Sequence, residues 1–270
     1  MRRAMIFPGQ GTAGGEVSGV VRDAVQRVVG DEKVPYQLSV FARSVELYRE
    51  LREAGVTLDL VAGHSLGEYG AAYASGSLSL EDGVWLVAER DRLMNEAAEA
   101  NPGGMIALIG AEPREVEEAV REQGGVVVAA NFNTPRQIVI SGEKTAMEAV
   151  AEKVRGKGRT LEVAGAFHSP LMVDAASGME LMLAETELEE PETPMVSAAD
   201  GEVLATAEDI RNALQRQMLS PVRWVAVIER FVDMEVGEVI EAGDDGTLTR
   251  MLRDFKDVEL EGRRATEVLA

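Results

Sequence analysis

No cysteine occurs among the 270 residues, which removes disulfides, thiolate nucleophiles and cysteine–zinc sites together. Histidine is nearly absent as well: His64 and His168 are the only two, a poor basis for a histidine-built metal site. Basic residues are scarce relative to acids, 27 against 47, for a formal charge of −20. A field of that sign repels polyphosphate, so nucleic acid is not an expected partner. Long apolar runs are missing too. No stretch approaches the roughly 20 apolar residues that span a bilayer. The opening MRRAMIFPGQG meets a proline after a run too short for a signal-peptide core. What is present is 46% hydrophobic and 27% charged residues, enough to build a sizeable core. The length suits one large or two modest domains. The expectation is a soluble, cytoplasmic, globular protein with no membrane partner.

Ala4 to Phe7 reads as a buried strand running into the tight Pro8-Gly9-Gln10-Gly11 loop. Residues 38–54 carry helical spacing and stop at Gly55. Residues 58–63 (LDLVAG) form a short strand before His64-Ser65-Leu66-Gly67 and a helix-like EYGAAYASG. A further helix over 78–94 is opened by Ser79, with Asp82 three positions on. This alternation belongs to an α/β domain. Beyond Asn101-Pro102-Gly103-Gly104 the pattern changes to strand MIALIG, helix PREVEEAVREQ, strands VVVAANF and QIVISG, helix KTAMEAVAEKVRGKG and strand RTLEVAG. That βαββαβ order is the ferredoxin-like unit. It reads as a small subdomain, residues 103–165, inserted between residues 1–102 and 166–270 of the larger domain. After it come a helix, a strand near PMVSA, a helix through 208–219 and a last strand over 236–243.

Gly63-His64-Ser65-Leu66-Gly67 is a G-x-S-x-G pentapeptide between a strand and a helix. Its glycines permit a sharp turn, so the Ser65 hydroxyl projects at a helix N-terminus, where free N–H groups stabilise developing negative charge. The Leu66 amide is placed to be one such donor. By itself the pentapeptide also fits a chance glycine-flanked serine in a βα turn. A nucleophilic serine needs a base, and histidine is the usual one near neutral pH. His64 adjoins the serine, where neighbouring side chains diverge, and is read as structural. His168, in GAFHSP, is the remaining candidate.

FPGQG (7–11), GHSLGEY (63–69), ERDRLM (89–94), ANFNTPRQIVISG (130–142), GAFHSPLM (165–172) and RQMLSPVRW (216–224), in that order, resemble the malonyl-CoA:acyl carrier protein transacylases. The resemblance covers nearly the whole chain. It implies an α/β-hydrolase-like large domain with a ferredoxin-like subdomain over the cleft. It also implies a ping-pong transfer from malonyl-CoA to an acyl carrier protein, carried out by a monomer without a cofactor. In these terms Ser65 matches the nucleophile and His168 its base, oriented by the main-chain carbonyl of Gln217. The amides of Gln10 and Leu66 match the oxyanion hole. Arg90 matches the holder of the malonyl carboxylate, as a planar guanidinium suits. Gln37 and Asn133 match polar residues lining the cleft. Phe167 matches the bulky residue of malonyl-selective members, and the same ring also fits as a core filler.

Four departures accompany the resemblance. Residues 12–34 stand where family members have a longer helical segment; Thr12-Ala13 replaces Ser-Gln; Asp91 follows Arg90 in place of glycine; and Gly243-Asp244-Asp245-Gly246 differs from Gly-Pro-Gly. Asp91 is left open as a competitor for the guanidinium or a solvent-facing residue. Arg155, Lys157 and Arg159, near the end of the subdomain helix, are a candidate docking patch for an acidic carrier protein, equally consistent with a solvated helix end. Other readings are a stand-alone acyltransferase for a polyketide synthase or malonate decarboxylase, a serine hydrolase such as a thioesterase, and a non-catalytic binding module.

Overall fold

Four consecutive residues with no solvent exposure, Ala4 to Phe7, suit a strand covered on both faces rather than one. In the computed structural model, which describes residues 1–270, they form most of β1 (Arg2–Phe7). There follow α1 (Gly19–Val29), α2 (Tyr36–Glu53), β2 (Leu60–Gly63), α3 (Gly67–Ala74), α4 (Leu80–Ala100), β3 (Gly104–Ile109), α5 (Pro113–Glu122), β4 (Val127–Thr134), β5 (Gln137–Gly142) and α6 (Lys144–Lys153). The chain continues through β6 (Lys157–Thr160), α7 (Val173–Glu185), β7 (Met195–Val196), β8 (Val203–Leu204), α8 (Ala207–Arg216), α9 (Trp224–Asp233), β9 (Val236–Glu241), α10 (Thr247–Met251), β10 (Glu261–Arg264) and α11 (Ala265–Leu269).

The larger sheet has the order β10-β9-β1-β2-β7-β8. It is parallel except for the short edge strand β8. Alternation along β1 feeds two cores, as the two-residue period of a strand requires. Met5 and Phe7 pack with α2, α3 and α4, whereas Ala4 and Ile6 pack with Trp224 and Phe231 of α9. The smaller sheet is antiparallel, in the ferredoxin-like order β4-β5-β3-β6. Ile106, Leu108, Ile138 and Ile140 face α5 and α6. Met105, Ala107 and Val139 face the opposite way and join the large core. One face of the small sheet therefore roofs the large domain. It is stitched there by Phe132 N–H to Val222 O at 2.7 Å and Val222 N–H to Ala130 O at 2.8 Å. The Ser79 cap is present, its hydroxyl accepting from Asp82 N–H at 3.0 Å. No helix is long and apolar enough to cross a membrane.

Several elements differ from the sequence reading. α6 stops at Lys153 rather than running through RGKG: Val154 is already extended at φ −93° and ψ 149°, and Gly156 takes φ 125°, a conformation glycine tolerates. The last subdomain strand accordingly starts at Lys157, so Lys157 and Arg159 lie on an exposed sheet edge and not on a helix end. β10 escapes a hydrophobic-pattern reading because its sequence is EGRR, and charge is how an edge strand avoids further pairing. α1, β8, α9, α10 and α11 lie where the sequence pattern predicts no element. In α1, Val21, Ala24 and Val25 are buried, so the short 12–34 region still supplies a packed helix.

Candidate active site

Ser65 sits between β2 and α3 with φ 54°, a conformation uncommon for a residue with a side chain. The flanking glycines make the turn possible. A Cβ on Gly63 would lie 2.1 Å from the Gly67 carbonyl carbon, and one on Gly67 would lie 2.0 Å from the Phe7 oxygen. Both contacts are with backbone and cannot relax by a rotamer change. The turn is pinned to β1 by His64 N–H donating to Phe7 O at 2.9 Å, which brings the Pro8–Gln10 loop alongside the serine. Leu66 immediately precedes α3, so its N–H has no acceptor one helical turn back.

Ser65 Oγ lies 2.8 Å from His168 Nε2. The other ring nitrogen, Nδ1, is 2.9 Å from Gln217 O and 3.0 Å from Ser220 O. Carbonyls only accept, so Nδ1 carries the proton and Nε2 is left to accept from the serine hydroxyl. His168 has φ 59°, held in a turn where Ser169 Oγ donates to Ala166 O at 2.6 Å. Burial first, and then the positive charge of Arg90, push the His168 pKa down to about 4. The imidazole is therefore neutral at physiological pH and free to take a proton. His64 does not compete for that role. Its Nε2 is 2.8 Å from Asn133 Oδ1, and burial lowers its pKa.

Arg90 is 1% exposed and forms no ion pair within the 4.0 Å limit of a salt bridge. Nη2 donates to Ser65 Oγ at 3.2 Å and Gln217 Oε1 at 3.0 Å, Nη1 donates to Gln37 Oε1, and the buried Nε–H has no partner. The Tyr69 ring lies 5.9 Å from the guanidinium carbon. Burial lowers the Arg90 pKa, yet a guanidinium keeps its charge in proteins. Asp91 is half-buried and forms no ion pair with the guanidinium; it accepts from Gln37 N–H at 3.0 Å and Asn95 Nδ2 at 2.9 Å.

Gln10, Ser65, Met105, Phe167, His168 and Met251 are among the residues around a cavity of about 140 Å³ at this point. Of the two polar residues expected on its lining, Gln37 is placed differently and Asn133 is on it. Gln37 is buried behind the cavity and buttresses Arg90, with its Nε2 toward Met94 Sδ. Asn133 does reach the lining, but its side chain is engaged by His64 and by Gln137 at 3.0 Å. Phe167 is 7% exposed and borders both the cavity and a neighbouring groove. Two of the departures prove to be one local exchange. Asp245 Oδ2 accepts from Thr12 Oγ1 at 3.2 Å and Ala13 N–H at 2.7 Å, while Asp244 pairs with Arg43 at 2.9 Å. The altered loops thus fasten each other beside the cleft.

Sequence reasoning missed the Ser220 carbonyl and Glu68. A carbonyl leaves no trace in residue type. Glu68, in the first turn of α3, looks like an ordinary complement to the helix dipole, yet it is 2% exposed.

An α/β fold carrying a serine at a strand–helix elbow, a neutral histidine 2.8 Å from its hydroxyl and held by carbonyls, and a buried arginine beside them has the geometry of a serine-dependent acyl-transfer enzyme. The chain belongs to the acyl transferase domain family, whose model matches residues 6–268. It is 35% identical to the malonyl CoA-acyl carrier protein transacylase of Bacillus subtilis (strain 168) over 224 residues, 80% of this chain and 71% of that protein. The acyl-carrier-protein S-malonyltransferase of Burkholderia pseudomallei 1710b superposes with a TM-score of 0.90 at 30% identity, covering 100% of this chain and 99% of that one. A malonyl-transacylase solved in complex with a type II polyketide synthase acyl-carrier protein gives 0.85 at 30% identity, covering 98% and 95%.

Proposed function

We propose that this protein moves a malonyl group from malonyl-CoA to the phosphopantetheine thiol of an acyl carrier protein through a malonyl ester on Ser65. The observation that carries this reading is the guanidinium of Arg90, buried without an ion-pair partner, 3.2 Å from the nucleophile and with an unspent Nε–H. A buried cation is costly unless an anion meets it. An acyl group bearing its own carboxylate supplies that anion, and a short diacid suits a guanidinium this near the hydroxyl. The chemistry then follows from the dyad. Ser65 Oγ attacks the thioester carbonyl as its proton passes to His168 Nε2. The Gln10 and Leu66 amides receive the oxyanion, the carbon–sulfur bond breaks, and the proton leaves with the coenzyme A thiol. The carrier thiol reverses the sequence, giving its proton to His168 as the ester is cleaved and Ser65 Oγ recovers a proton. Each proton acceptor and donor named is a group of the chain, so no metal or redox cofactor enters the proposal. A monomer suffices, because every named residue comes from one chain.

Mass spectrometry after mixing with malonyl-CoA tests this. A malonyl adduct on Ser65 that is discharged by holo carrier protein is the expected result, with no adduct in Ser65→Ala. Rapid release of free malonate without an adduct would instead assign a hydrolase. A carrier of polyketide rather than fatty acid synthesis is the second reading, favoured by the structural relative bound to such a carrier. The two are separated by comparing carriers as acceptors.

For carrier docking, support comes from β6. Lys157 and Arg159 are exposed on β6, and Leu161, just past its end, continues their alternation with its N–H bonded to Met105 O at 3.0 Å. Leu161 borders the catalytic cavity. Arg155 is exposed beside them and pairs with Glu115 at 3.3 Å at the surface. Lys157→Glu with Arg159→Glu should raise KM for the carrier protein several-fold and leave KM for malonyl-CoA unchanged. Equal effects on both substrates would remove the patch.

A further inference from the structure

Three residues after the nucleophile, the Glu68 side chain is enclosed beneath the site and touches neither Ser65 Oγ nor the cavity. Its Oε2 accepts from Gln217 Nε2 at 3.0 Å, and its Oε1 accepts from Ala198 N–H at 3.3 Å. Gln217 Oε1 accepts from Arg90 Nη2 at 3.0 Å, and the Gln217 main-chain oxygen accepts from His168 Nδ1 at 2.9 Å. One residue therefore meets both the substrate clamp and the base, and Glu68 is what grips its amide.

The orientation of that amide is decided by chemistry. A guanidinium only donates, so the amide oxygen must face Arg90. The amide NH2 must then face an acceptor, and Glu68 provides one. Rotated by half a turn, the amide would set two donors against each other at Arg90 and lose the acceptor at Glu68. Without Glu68 the two orientations differ much less, since a glutamine's oxygen and nitrogen occupy nearly the same space. Gln217 Nε2 also lies 3.4 Å from Ser65 O, so the link returns to the elbow itself. Burial pushes the Glu68 pKa up to about 8, against the opposing pull of the Ala198 N–H and the Arg90 charge; the ionised carboxyl offers both oxygens as acceptors, and the neutral one keeps its carbonyl oxygen.

We propose that Glu68 is a positioning residue for acyl transfer, fixing through the Gln217 amide the guanidinium that receives the substrate carboxylate. This rests on the malonyl-transfer reading above. Its consequence is selective. A misoriented Gln217 displaces Arg90, which matters for an acyl group with a carboxylate and little for one without.

The test is the ratio of Ser65 acylation rates by malonyl-CoA and acetyl-CoA in the full chain, a quantity that loss of folded protein does not change. Wild type, Glu68→Leu, Glu68→Gln, Gln217→Ala and the Glu68→Leu/Gln217→Ala double variant are compared. Glu68→Leu and Gln217→Ala should each lower the malonyl preference about tenfold or more. The double variant should be no worse than Gln217→Ala alone, because a residue acting through another adds nothing once that other is gone. Glu68→Gln keeps the volume but offers only one acceptor to two N–H donors, where the ionised carboxyl offers two, so above pH 8 it should lower the ratio as well; measured there, it carries the test if Glu68→Leu fails to fold. Wild-type ratios in both Glu68 variants, or a double variant equal to the product of the single effects, would overturn the proposal. A wild-type enzyme with no malonyl preference would instead overturn the functional reading beneath it.

Discussion

Replacing His168 by alanine should slow both the loading of Ser65 by malonyl-CoA and its discharge by the carrier thiol by roughly 10²–10⁴-fold. The two half-reactions fall together because one nitrogen serves both. Nε2 takes the Ser65 proton in loading and the carrier thiol's proton in discharge, at a heavy-atom distance of 2.8 Å. His64 offers no substitute, since its Nε2 already meets Asn133. The residual rate would come from the oxyanion donors and substrate positioning, which the substitution leaves in place. The same geometry predicts the pH dependence. His168 is active as the neutral imidazole, and its pKa is pushed down to about 4, by burial first and the Arg90 charge second. The acid limb of the loading rate should therefore fall near pH 4, not near the ordinary histidine value of about 6.5. Rapid-quench measurement of malonyl-enzyme formation across pH checks both points. Near-normal loading in His168→Ala would remove it as the base.

What was legible beforehand follows from where each constraint resides. The elbow is a local constraint: Gly63 and Gly67 are required within five residues by backbone contacts of 2.1 Å and 2.0 Å, so the pentapeptide announces it. The two-sided burial of β1 and the βαββαβ order are likewise written in short-range patterns. The pairing of Ser65 with His168 spans 103 positions, and residue chemistry reached it because only two histidines exist. Other parts of the site carry no such signal. The Ser220 carbonyl that shares the Nδ1 proton belongs to the backbone. Gln37 was recognised as a polar residue of the site, but whether it faces the cavity or supports Arg90 depends on packing between α2 and α4. Asp245 and Thr12 each look like a loss when read alone. Only their 3.2 Å contact shows that one accommodates the other. Charged edge strands such as β10 also stay hidden, because their place in the sheet is set by a neighbour and not by their own periodicity.

Arg90→Ala should cut malonyl transfer by roughly 10²–10³-fold while leaving acetyl transfer unchanged or raised. The magnitude follows from leaving a buried carboxylate without its partner, about 3–5 kcal/mol, at about 1.4 kcal/mol per factor of ten. The selectivity follows from position. Arg90 stands beside the hydroxyl that accepts the acyl group, and an acetyl group has nothing to offer a guanidinium. Removing that charge also removes the second cause holding the His168 pKa down, so the acid limb of acetyl loading should move to higher pH in the variant. That shift distinguishes a missing charge from a collapsed pocket, which would slow both acyl groups and leave the limb where it was. Acylation rates for the two thioesters, measured on the same preparation at several pH values, decide the matter. Equal losses for malonyl and acetyl would mean that Arg90 supports the site without recognising the substrate.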